Sequence, residues 1–289
     1  MEWLQKFNQA LDYVEDNLEG EIEYETAARI ACCSTFHFQR MFSYIAGIPL
    51  GEYIRRRRMT AAAFALQSGE ERIVDLALRY GYDSPTAFNR AFQSVHGTPP
   101  SRAREKGVEL KAYPRISFRI TVKGEAEMNY RIENLEAFRI VGLSAPLPKE
   151  IEQSFQVVPG LWQRAAEEGI MERLCPLMDG QPAGILGVSA CKEEEAWAYF
   201  IAVASSQPAE GTGFEEYQVP ACTWAVFPGE GPMPGGIQEL EKRIVTEWLP
   251  CSGYEYANAP DIEVYLTPDP RNARFEVWVP VRRKEDDMQ

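Results

Sequence analysis

Two segments of the chain, fifty residues apart, carry side chains that could pair with the edges of bases. Residues 34–42 and 84–92 each read Ser-x-x-x-Phe-x-Arg-x-Phe. Outside their apolar positions, both segments carry an amide followed by a guanidinium: Gln39 and Arg40 in the first, Asn89 and Arg90 in the second. An amide can pair with adenine, and a guanidinium can pair with guanine or with a phosphate. The repeat therefore predicts two surfaces that read double-stranded DNA.

A second candidate chemistry lies in the C-terminal half, where carboxylates and aromatic rings alternate along short segments. Alternation along a strand places the members of each pair on one face. The pairs are Glu263 with Tyr265, Glu276 with Trp278, and Trp197 with Tyr199. Carboxylates among aromatic rings suit an organic cation, and we expect the two acid–aromatic faces to coincide if their strands pair. An exposed amphipathic sheet, whose glutamates only keep the domain soluble, is the open alternative.

The DNA-reading residues need helices to position them, and the hydrophobic periodicity predicts a repeated helix-turn-helix. The predicted helices span residues 3–18, 24–31, 35–46, 49–67, 73–80 and 85–96. Ser34 and Ser84 are the expected N-caps, and Cys32-Cys33 and Gly81 are the expected turns. In the long connecting helix, Arg55–Arg58 wraps around the axis, so all four cannot meet one surface. A solvated face and phosphate contacts are both open for these arginines.

After residue 107 the pattern changes to short alternating segments with two helices among them, which predicts an α+β domain. Strands are expected at 115–122, within 130–143, and at 183–190, 196–204, 223–228, 261–266 and 275–281, with helices at 158–168 and 235–249. The expected organisation is an all-α domain at residues 1–107, a junction at 108–127 and the α+β domain at 128–289.

The charge is unevenly distributed along the chain, whose formal net charge is −13. Residues 34–107 hold eleven Lys and Arg against six Asp and Glu, whereas from residue 108 onward there are seventeen against twenty-nine. This asymmetry indicates a basic nucleic-acid surface beside an acidic partner domain. No apolar run approaches the roughly 20 residues that a membrane helix needs. The first residues lack the features of a signal peptide, which predicts a cytoplasmic protein without a membrane partner.

Several motifs of residues 1–107 together form a specific pattern: Phe-x-Arg-x-Phe at 38–42, Gly-x-Pro at 47–49, Tyr-Ile-x-x-x-Arg-Met at 53–59, Ala-x-x-Tyr-Gly-Tyr at 77–82 and Gly-Thr-Pro-Pro-Ser at 97–101. This part of the chain resembles the DNA-binding domain of the AraC/XylS family, especially its Mar/Rob branch. By position, the resemblance implies base-facing roles for Phe36, Gln39 and Arg40 in the first reader, and for Pro85, Thr86, Ala87, Asn89 and Arg90 in the second. The side chains of Pro85 and Ala87 cannot donate hydrogen bonds. We therefore expect the first helix to be the stronger reader.

The ending Asp-Ile-Glu-Val-Tyr-Leu at 261–266, followed by Glu-Val-Trp-Val-Pro-Val at 276–281, carries a second resemblance. Residues 128–283 resemble a GyrI-like effector-binding domain, an α+β fold built from duplicated β-α-β-β units. The resemblance implies that Glu263 and Glu276 are the ligand-binding carboxylates, with Tyr265 or Trp278 as the aromatic wall.

These patterns predict a ligand-responsive transcription regulator that binds promoter DNA and an amphipathic, cationic or drug-like small molecule. RNA polymerase is a further partner that stays open. Two other functions are also open: a GyrI-like hydrolase that uses a pocket glutamate as general base, and a protein that sequesters a toxin. The only histidines are His37 and His96, both in the N-terminal part, and no metal-ligand cluster or Gly-rich phosphate loop is present. We therefore expect no metal, no cofactor and no catalytic residue.

Overall fold

The computed structural model of the protein describes residues 2–69, 71–118, 127–148, 151–193, 196–257 and 259–284. The chain forms two compact units, one at Glu2–Arg119 and the other at Ile120–Gln289. Within the described ranges, no helix combines the length and the apolar character that crossing a membrane requires.

The described part of the N-terminal unit holds six α-helices, and they follow the predicted helix-turn-helix repeat. They are α1 (Glu2–Asp16), α2 (Tyr24–Ile30), α3 (Thr35–Ala46), α4 (Leu50–Ser68), α5 (Ile73–Arg79) and α6 (Pro85–His96). In the first copy α2 packs on α3, in the second copy α5 packs on α6, and α4 connects the two copies. The all-α, tandem character of this unit is confirmed.

Both copies begin and end their second helix in the same way. The hydroxyls of Ser34 and Ser84 each accept a hydrogen bond from the backbone N–H three residues further on, at 3.2 and 3.1 Å. These bonds satisfy amides that the first turn of a helix leaves without partners, so both predicted N-caps are confirmed. At the other end, Gly47 and Gly97 adopt φ values of 70° and 75°. Only glycine reaches this left-handed conformation without steric cost.

The turns of the two copies use different residues for the same backbone conformation. Gly81 has a φ of 76°, and in the first copy Cys32 adopts a φ of 55°. Among the described residues, Cys32 is the one non-glycine residue with a positive φ. The first turn therefore carries a conformational strain that the second turn avoids.

The four consecutive arginines of α4 are held by contacts inside the helical unit. Arg57 forms an ion pair with Glu15 of α1 at 2.8 Å, and both side chains are largely buried, with exposed fractions of 18% and 6%. Arg58 donates to the carbonyl oxygens that follow α1, at Leu18 and Gly20. The remaining two, Arg55 and Arg56, pair with Glu52 on their own helix. Arg57 thus attaches α4 to α1, and Arg58 attaches α4 to the segment that follows α1. These two arginines have a structural role that was not predicted from the sequence.

Residues 110–118 form an extended segment against the helical unit, and we call it the strap. The predicted strand at 115–122 is wrong for its described residues, because 115–118 pair with side chains instead of another strand. The rest of that prediction, residues 119–122, lies outside the described residues.

The C-terminal unit is a single antiparallel sheet with helices on one face, as an α+β fold requires. Its elements are β1 (Arg131–Leu135), β2 (Phe138–Pro146), α7 (Ile151–Glu167), α8 (Ile170–Leu174), β3 (Ile185–Glu193), β4 (Ala196–Ala204), β5 (Glu215–Val219), β6 (Cys222–Gly231), α9 (Gly235–Arg243), β7 (Tyr254–Tyr256), β8 (Asp261–Tyr265) and β9 (Ala273–Arg283). The strand order is β1-β6-β9-β8-β3-β4-β2-β5, and β7 pairs with β9. Beyond α9 the helix continues through a π-helical turn to Cys251. The α+β prediction is confirmed, although β5, β7 and α8 were not predicted.

The two faces of this sheet have different neighbours. Directly opposite residues of an antiparallel pair share a face, so Phe200, Val188, Ile262 and Trp278 form one continuous row across four strands. These four residues belong to a large buried apolar cluster, and we call their side of the sheet the core face. The opposite side carries α7 and α9, and we call it the helix face.

We predict that Arg57→Met destabilises the protein far more than Arg55→Met. The first change leaves the carboxylate of Glu15 buried without its cation, which costs about 3 kcal/mol. The second removes an exposed partner within one helix, which costs less than about 1 kcal/mol. Chemical denaturation at neutral pH, followed through the helical signal, measures the free energy of unfolding of both variants.

The same pair predicts a pH dependence. Burial alone would raise the pKa of Glu15, but hydrogen bonds from Arg57 and Tyr53 outweigh it and lower the pKa below 4.5. A carboxyl group with a lowered pKa stabilises the fold above its unfolded pKa and loses that contribution as the pH falls through its folded pKa. The difference in free energy of unfolding between Arg57→Met and Arg55→Met should therefore become smaller in acid. A difference that does not change with pH would contradict the role given to Glu15.

Candidate functional site

Glu263 stands on the helix face between two tyrosines that donate to it. The hydroxyl of Tyr265, two residues along β8, donates to Glu263 Oε2 at 2.7 Å. The hydroxyl of Tyr199 on β4 donates to the same oxygen at 3.0 Å. The carboxylate is thereby held in one orientation by two neutral donors.

Gly187 makes this arrangement possible because β3 runs between β4 and β8. Its register places it directly opposite Glu263. A Cβ atom at Gly187 would lie 2.2 Å from the Tyr199 hydroxyl and 2.7 Å from Glu263 Oε2. Any side chain here would push the phenol and the carboxylate apart. Glycine is therefore required for Tyr199 to reach across β3.

Trp162 covers the group from α7. Its Nε1 donates to the Tyr199 hydroxyl at 3.1 Å, and its ring meets that of Tyr265 edge-on with 4.8 Å between centroids. One indole, two phenols and one carboxylate thus form a connected network at the helix face. We call Trp162, Gly187, Tyr199, Glu263 and Tyr265 the Glu263 site.

Both phenols of the Glu263 site remain protonated over the whole physiological pH range. Burial raises the pKa of Tyr199 well above 10, and the negative charge of Glu263 raises it further. The same two causes raise the pKa of Tyr265, to which the charge of Glu241 on α9 also contributes. Both hydroxyls therefore stay donors to the carboxylate. Within the described part of the chain, no lysine or arginine forms an ion pair with Glu263.

Trp197 shares the helix face with Tyr199, as predicted from strand alternation. Its register partner on β3 is Cys191, whereas the partner of Tyr199 is Ser189. Cys191 lies two residues further than Ser189 along β3 from Gly187, the residue opposite Glu263. The side chain is half-buried and makes contacts of its own. Trp197 therefore lies along the strand from the Glu263 site, and a role in ligand binding stays a prediction.

The prediction that the two acid–aromatic faces coincide is wrong. Strand β8 pairs with β9 so that Glu263 is opposite Val277, and Glu276 is opposite Val264. Because partners share a face and neighbours along a strand alternate, Glu276 and Trp278 lie on the core face. The sheet separates the two carboxylates that the sequence brought together.

Glu276 has an internal cation instead. Arg131 of β1 donates two hydrogen bonds to its carboxylate, at 2.8 and 3.0 Å, and lies over the ring of Trp278. Trp278 Nε1 donates to the same carboxylate at 2.9 Å. Burial alone would raise the pKa of Glu276, but these bonds outweigh it and lower the pKa. Glu276 is thus neutralised by the chain itself.

Three residues near Glu263 were missed from the sequence. Neither Trp162 of α7 nor Glu241 of α9 was singled out from the sequence, although only 3% of Glu241 is exposed. Gly187 did carry a usable signal, because a glycine inside a strand often marks a close approach of another group.

On the N-terminal unit, the first predicted reader is covered. Phe36 and Gln39 were expected outside the buried stripe of α3, and this is wrong: their exposed fractions are 9% and 2%. Because residues 36–39 are all buried, α3 is enclosed around most of its circumference. Arg40 is half-buried, with its guanidinium over the ring of Tyr44. Base contacts by this helix stay a prediction and require these side chains to become accessible.

The second predicted reader is open. The residues at the start of α6 are all exposed: Pro85, Thr86, Ala87, Asn89 and Arg90. Its apolar stripe, Phe88 and Phe92, packs inward instead. The sequence predicts α3 as the stronger reader, but α6 is the more accessible helix. Its Asn89 and Arg90 are the exposed amide and guanidinium.

Both units match known families. Residues 27–106 match a helix-turn-helix domain, and residues 128–282, more than half of the chain, match the GyrI-like small molecule binding domain. The chain is an AraC-family transcriptional regulator with a GyrI-like ligand-binding domain.

Relatives of the regulator match it over one unit or over both. The multiple antibiotic resistance protein MarA of Escherichia coli K12 is 40% identical over 94 residues, 32% of this chain and 74% of MarA. The right origin-binding protein of the same organism is 26% identical over 288 residues, 94% of this chain and 96% of that protein. The solved structure of SAV2435 bound to tetraphenylphosphonium has 25% identity and a TM-score of 0.48, covering 54% of this chain and 94% of that one.

We predict that the two carboxylates of the regulator differ in their contribution to stability. Glu276→Gln breaks a charged pair and should lower the free energy of unfolding by about 1–2 kcal/mol, a value reduced by solvent screening of the 44% exposed Arg131. Glu263→Gln should change it by less than about 0.5 kcal/mol, because an amide oxygen can still accept from both phenols and no cation is left unpaired. Denaturant unfolding compares the two, and a larger loss at Glu263 would mean that this carboxylate is structural.

Proposed function

We propose that the regulator binds an organic cation at the Glu263 site and reads promoter DNA through α6 and α3. The observation that carries the ligand proposal is a fixed carboxylate among aromatic rings, which no lysine or arginine among the described residues neutralises. Glu263 is only half-buried, so its carboxylate stays partly accessible. A ligand that brings a positive charge can pair with this carboxylate directly.

The rings around the carboxylate favour a particular class of cation. The rings of Trp162 and Tyr265 are partly exposed, whereas Tyr199 is buried and acts as a donor to the carboxylate. Aromatic faces attract a delocalised or quaternary cation. A small hydrated ion would gain nothing from these rings. An apolar neutral ligand would gain the contacts with the rings but would not supply a positive charge for the carboxylate. An aromatic or alkyl-rich cation gains from both.

The contrast with Glu276 supports this choice. Both glutamates precede an aromatic residue by two positions on neighbouring strands. Glu276 forms an ion pair with Arg131, and Glu263 does not. A ligand at Glu276 would have to displace a guanidinium that makes two hydrogen bonds. Glu263 requires no such exchange, so it is the stronger candidate for an external cation.

Hydrolysis at the Glu263 site has less support than binding. Both phenols donate to Oε2 of Glu263 and occupy the lone pairs of that oxygen, so a general base would have to act through Oε1 alone. Hydrolysis, sequestration of a toxin and contact with RNA polymerase therefore stay predictions without further support.

The DNA proposal rests on the exposed start of α6. Its N-terminal residues Thr86, Asn89 and Arg90 present the donors and acceptors that a recognition helix inserts into the major groove. A chain with a net charge of −13 gains little from non-specific attraction to phosphates. Such specific contacts must therefore supply more of the affinity. A ligand changes DNA binding only if it has different affinities for two states of the protein.

We predict that tetraphenylphosphonium raises the melting temperature of the regulator, and that its isosteric anion tetraphenylborate does not. A ligand that binds only the folded state stabilises it by mass action. Glu263→Gln should weaken the response to the cation at least about tenfold in concentration, because it removes the charge partner. Thermal unfolding monitored by differential scanning fluorimetry gives the concentration dependence.

Glu276→Gln is the matched control for this test, since it removes the same charge from the neighbouring strand on the other face. It should leave the response to the cation unchanged relative to its own melting temperature. An equal response to cation and anion would point to apolar binding alone, and equal losses in the two variants would refute the assignment to Glu263.

We predict that, in the absence of ligand, Arg90→Ala weakens DNA binding more than Arg40→Ala does. The DNA is a duplex that the wild-type chain selects from a random pool. An accessible base-pairing arginine is worth about 1–3 kcal/mol, or about 5- to 150-fold in affinity. Electrophoretic mobility shift at fixed salt measures the loss. Arg72→Ala removes the same charge from an exposed pair with Asp75 and serves as the control. A greater loss for Arg40→Ala would restore α3 as the principal reader.

A further inference from the structure

The strap is bonded to the helical unit through its backbone. Its contacts are Lys111 N–H to His96 Nδ1 (3.2 Å), Tyr113 N–H to Thr60 Oγ1 (3.1 Å), Ile116 N–H to the Tyr53 hydroxyl (3.1 Å), Phe118 N–H to Asn8 Oδ1 (2.9 Å), Asn8 Nδ2 to Phe118 O (3.0 Å) and Arg57 to Tyr113 O (2.6 Å). Three of the partners, Tyr53, Arg57 and Thr60, follow each other at helical spacing along one side of α4. The strap therefore lies along the connecting helix and runs in the opposite direction, from Thr60 towards Tyr53.

The two ends of the strap contact different copies of the repeat. Near its start, Leu110 and Tyr113 pack on the apolar core that α4, α5 and α6 share. At its end, the ring of Phe118 packs on Phe7 of α1 and Phe42 of α3, with centroids 5.6 and 5.9 Å away. The strap thus spans both helix-turn-helix copies.

The helical unit depends on these bonds because the side chains that make them are buried. Thr60 and Tyr53 are each 2% exposed, and His96 is 5% exposed. Burial lowers the pKa of His96. In the neutral tautomer, Nε2–H donates to Met59 O while Nδ1 accepts from the strap. A buried polar group without a partner is costly, so the strap is retained as part of the folded unit.

We propose that the strap is a positioning element for DNA recognition: it fixes α3 and α6 relative to each other and so sets the half-site spacing that the regulator accepts. The proposal rests on DNA reading by both helices. Two recognition helices must match the separation of successive major-groove segments, about 34 Å apart, so freedom between the copies relaxes the spacing that can be bound. Beyond Phe118 the same backbone leads to the C-terminal unit.

The test removes bonds between the strap and the helical unit from full-length protein. Asn8→Leu with Thr60→Val deletes three of its hydrogen bonds at two points, one near each copy. Spin labels on unnatural amino acids at positions 25 and 94, on exposed positions of α2 and α6, report the distance between the copies by pulsed electron paramagnetic resonance. We expect the distance distribution to broaden at least about twofold in the variant, because two bonded anchor points are lost. The control is Ser68→Ala, which removes a hydrogen bond within α4 and none to the strap. Ser94 cannot serve as the control because the label replaces it.

A second readout separates positioning from stability. On the duplex selected by the wild-type chain, insertion of two base pairs between the half-sites should weaken wild-type binding at least about tenfold and weaken binding of the variant less than about threefold. A loss of stability alone would weaken binding to both duplexes equally. If the wild-type chain selects no duplex, the DNA proposal fails, and the distance distribution still decides the role of the strap.

An unchanged distribution in the variant, with the same spacing dependence as the wild type, would falsify the proposal. If the double variant does not fold, Thr60→Val alone keeps the shape of the side chain and removes one anchor point. It should then give a smaller broadening in the same direction, and no broadening would again overturn the inference.

Discussion

The register in which β8 pairs with β9 determines what each carboxylate of the C-terminal unit can do. Glu263 lies opposite Val277 and Glu276 opposite Val264, so the strands carry their acids to opposite faces of the sheet. On the core face, Glu276 is satisfied by Arg131 and Trp278. On the helix face, the described residues that bond to Glu263 are the two phenols, beneath the indole of α7. A one-residue shift of the pairing would exchange the two environments.

Helix α4 imposes the corresponding constraint on the N-terminal unit. It joins the two copies of the repeat, and its buried polar side chains are committed to α1 and to the strap. Arg57 and Arg58 are used in this way, whereas Arg55 and Arg56 are partly exposed and pair with Glu52 on the same helix. The exposed start of α6 therefore carries the accessible polar groups, while α3 is covered on the side that its counterpart leaves open.

Much of this could be predicted from the sequence because the signals are local. Serine caps, glycine ends and helical periodicity act within a few residues, so the six helices and both caps followed from the repeat. The separation of Glu263 from Glu276 could not be predicted, since alternation gives the faces of each strand but not the register between strands. Burial of Gln39 and the contributions of Trp162 and Glu241 depend on tertiary packing, which leaves no periodic trace in one sequence.

The sheet of the C-terminal unit also ends in a distinctive way. Among the strands that the structure describes, the outer strands β1 and β5 have ladder partners on one side only, β6 and β2 respectively. Unpaired strand edges invite further strands, and charged side chains oppose such growth. Arg131 and Glu133 line one edge strand, and Glu215 and Glu216 line the other. Arg131, which forms the core-face ion pair with Glu276, thus also places a charge on the edge strand β1. This charge opposes the addition of a strand from another molecule, which an apolar edge would allow.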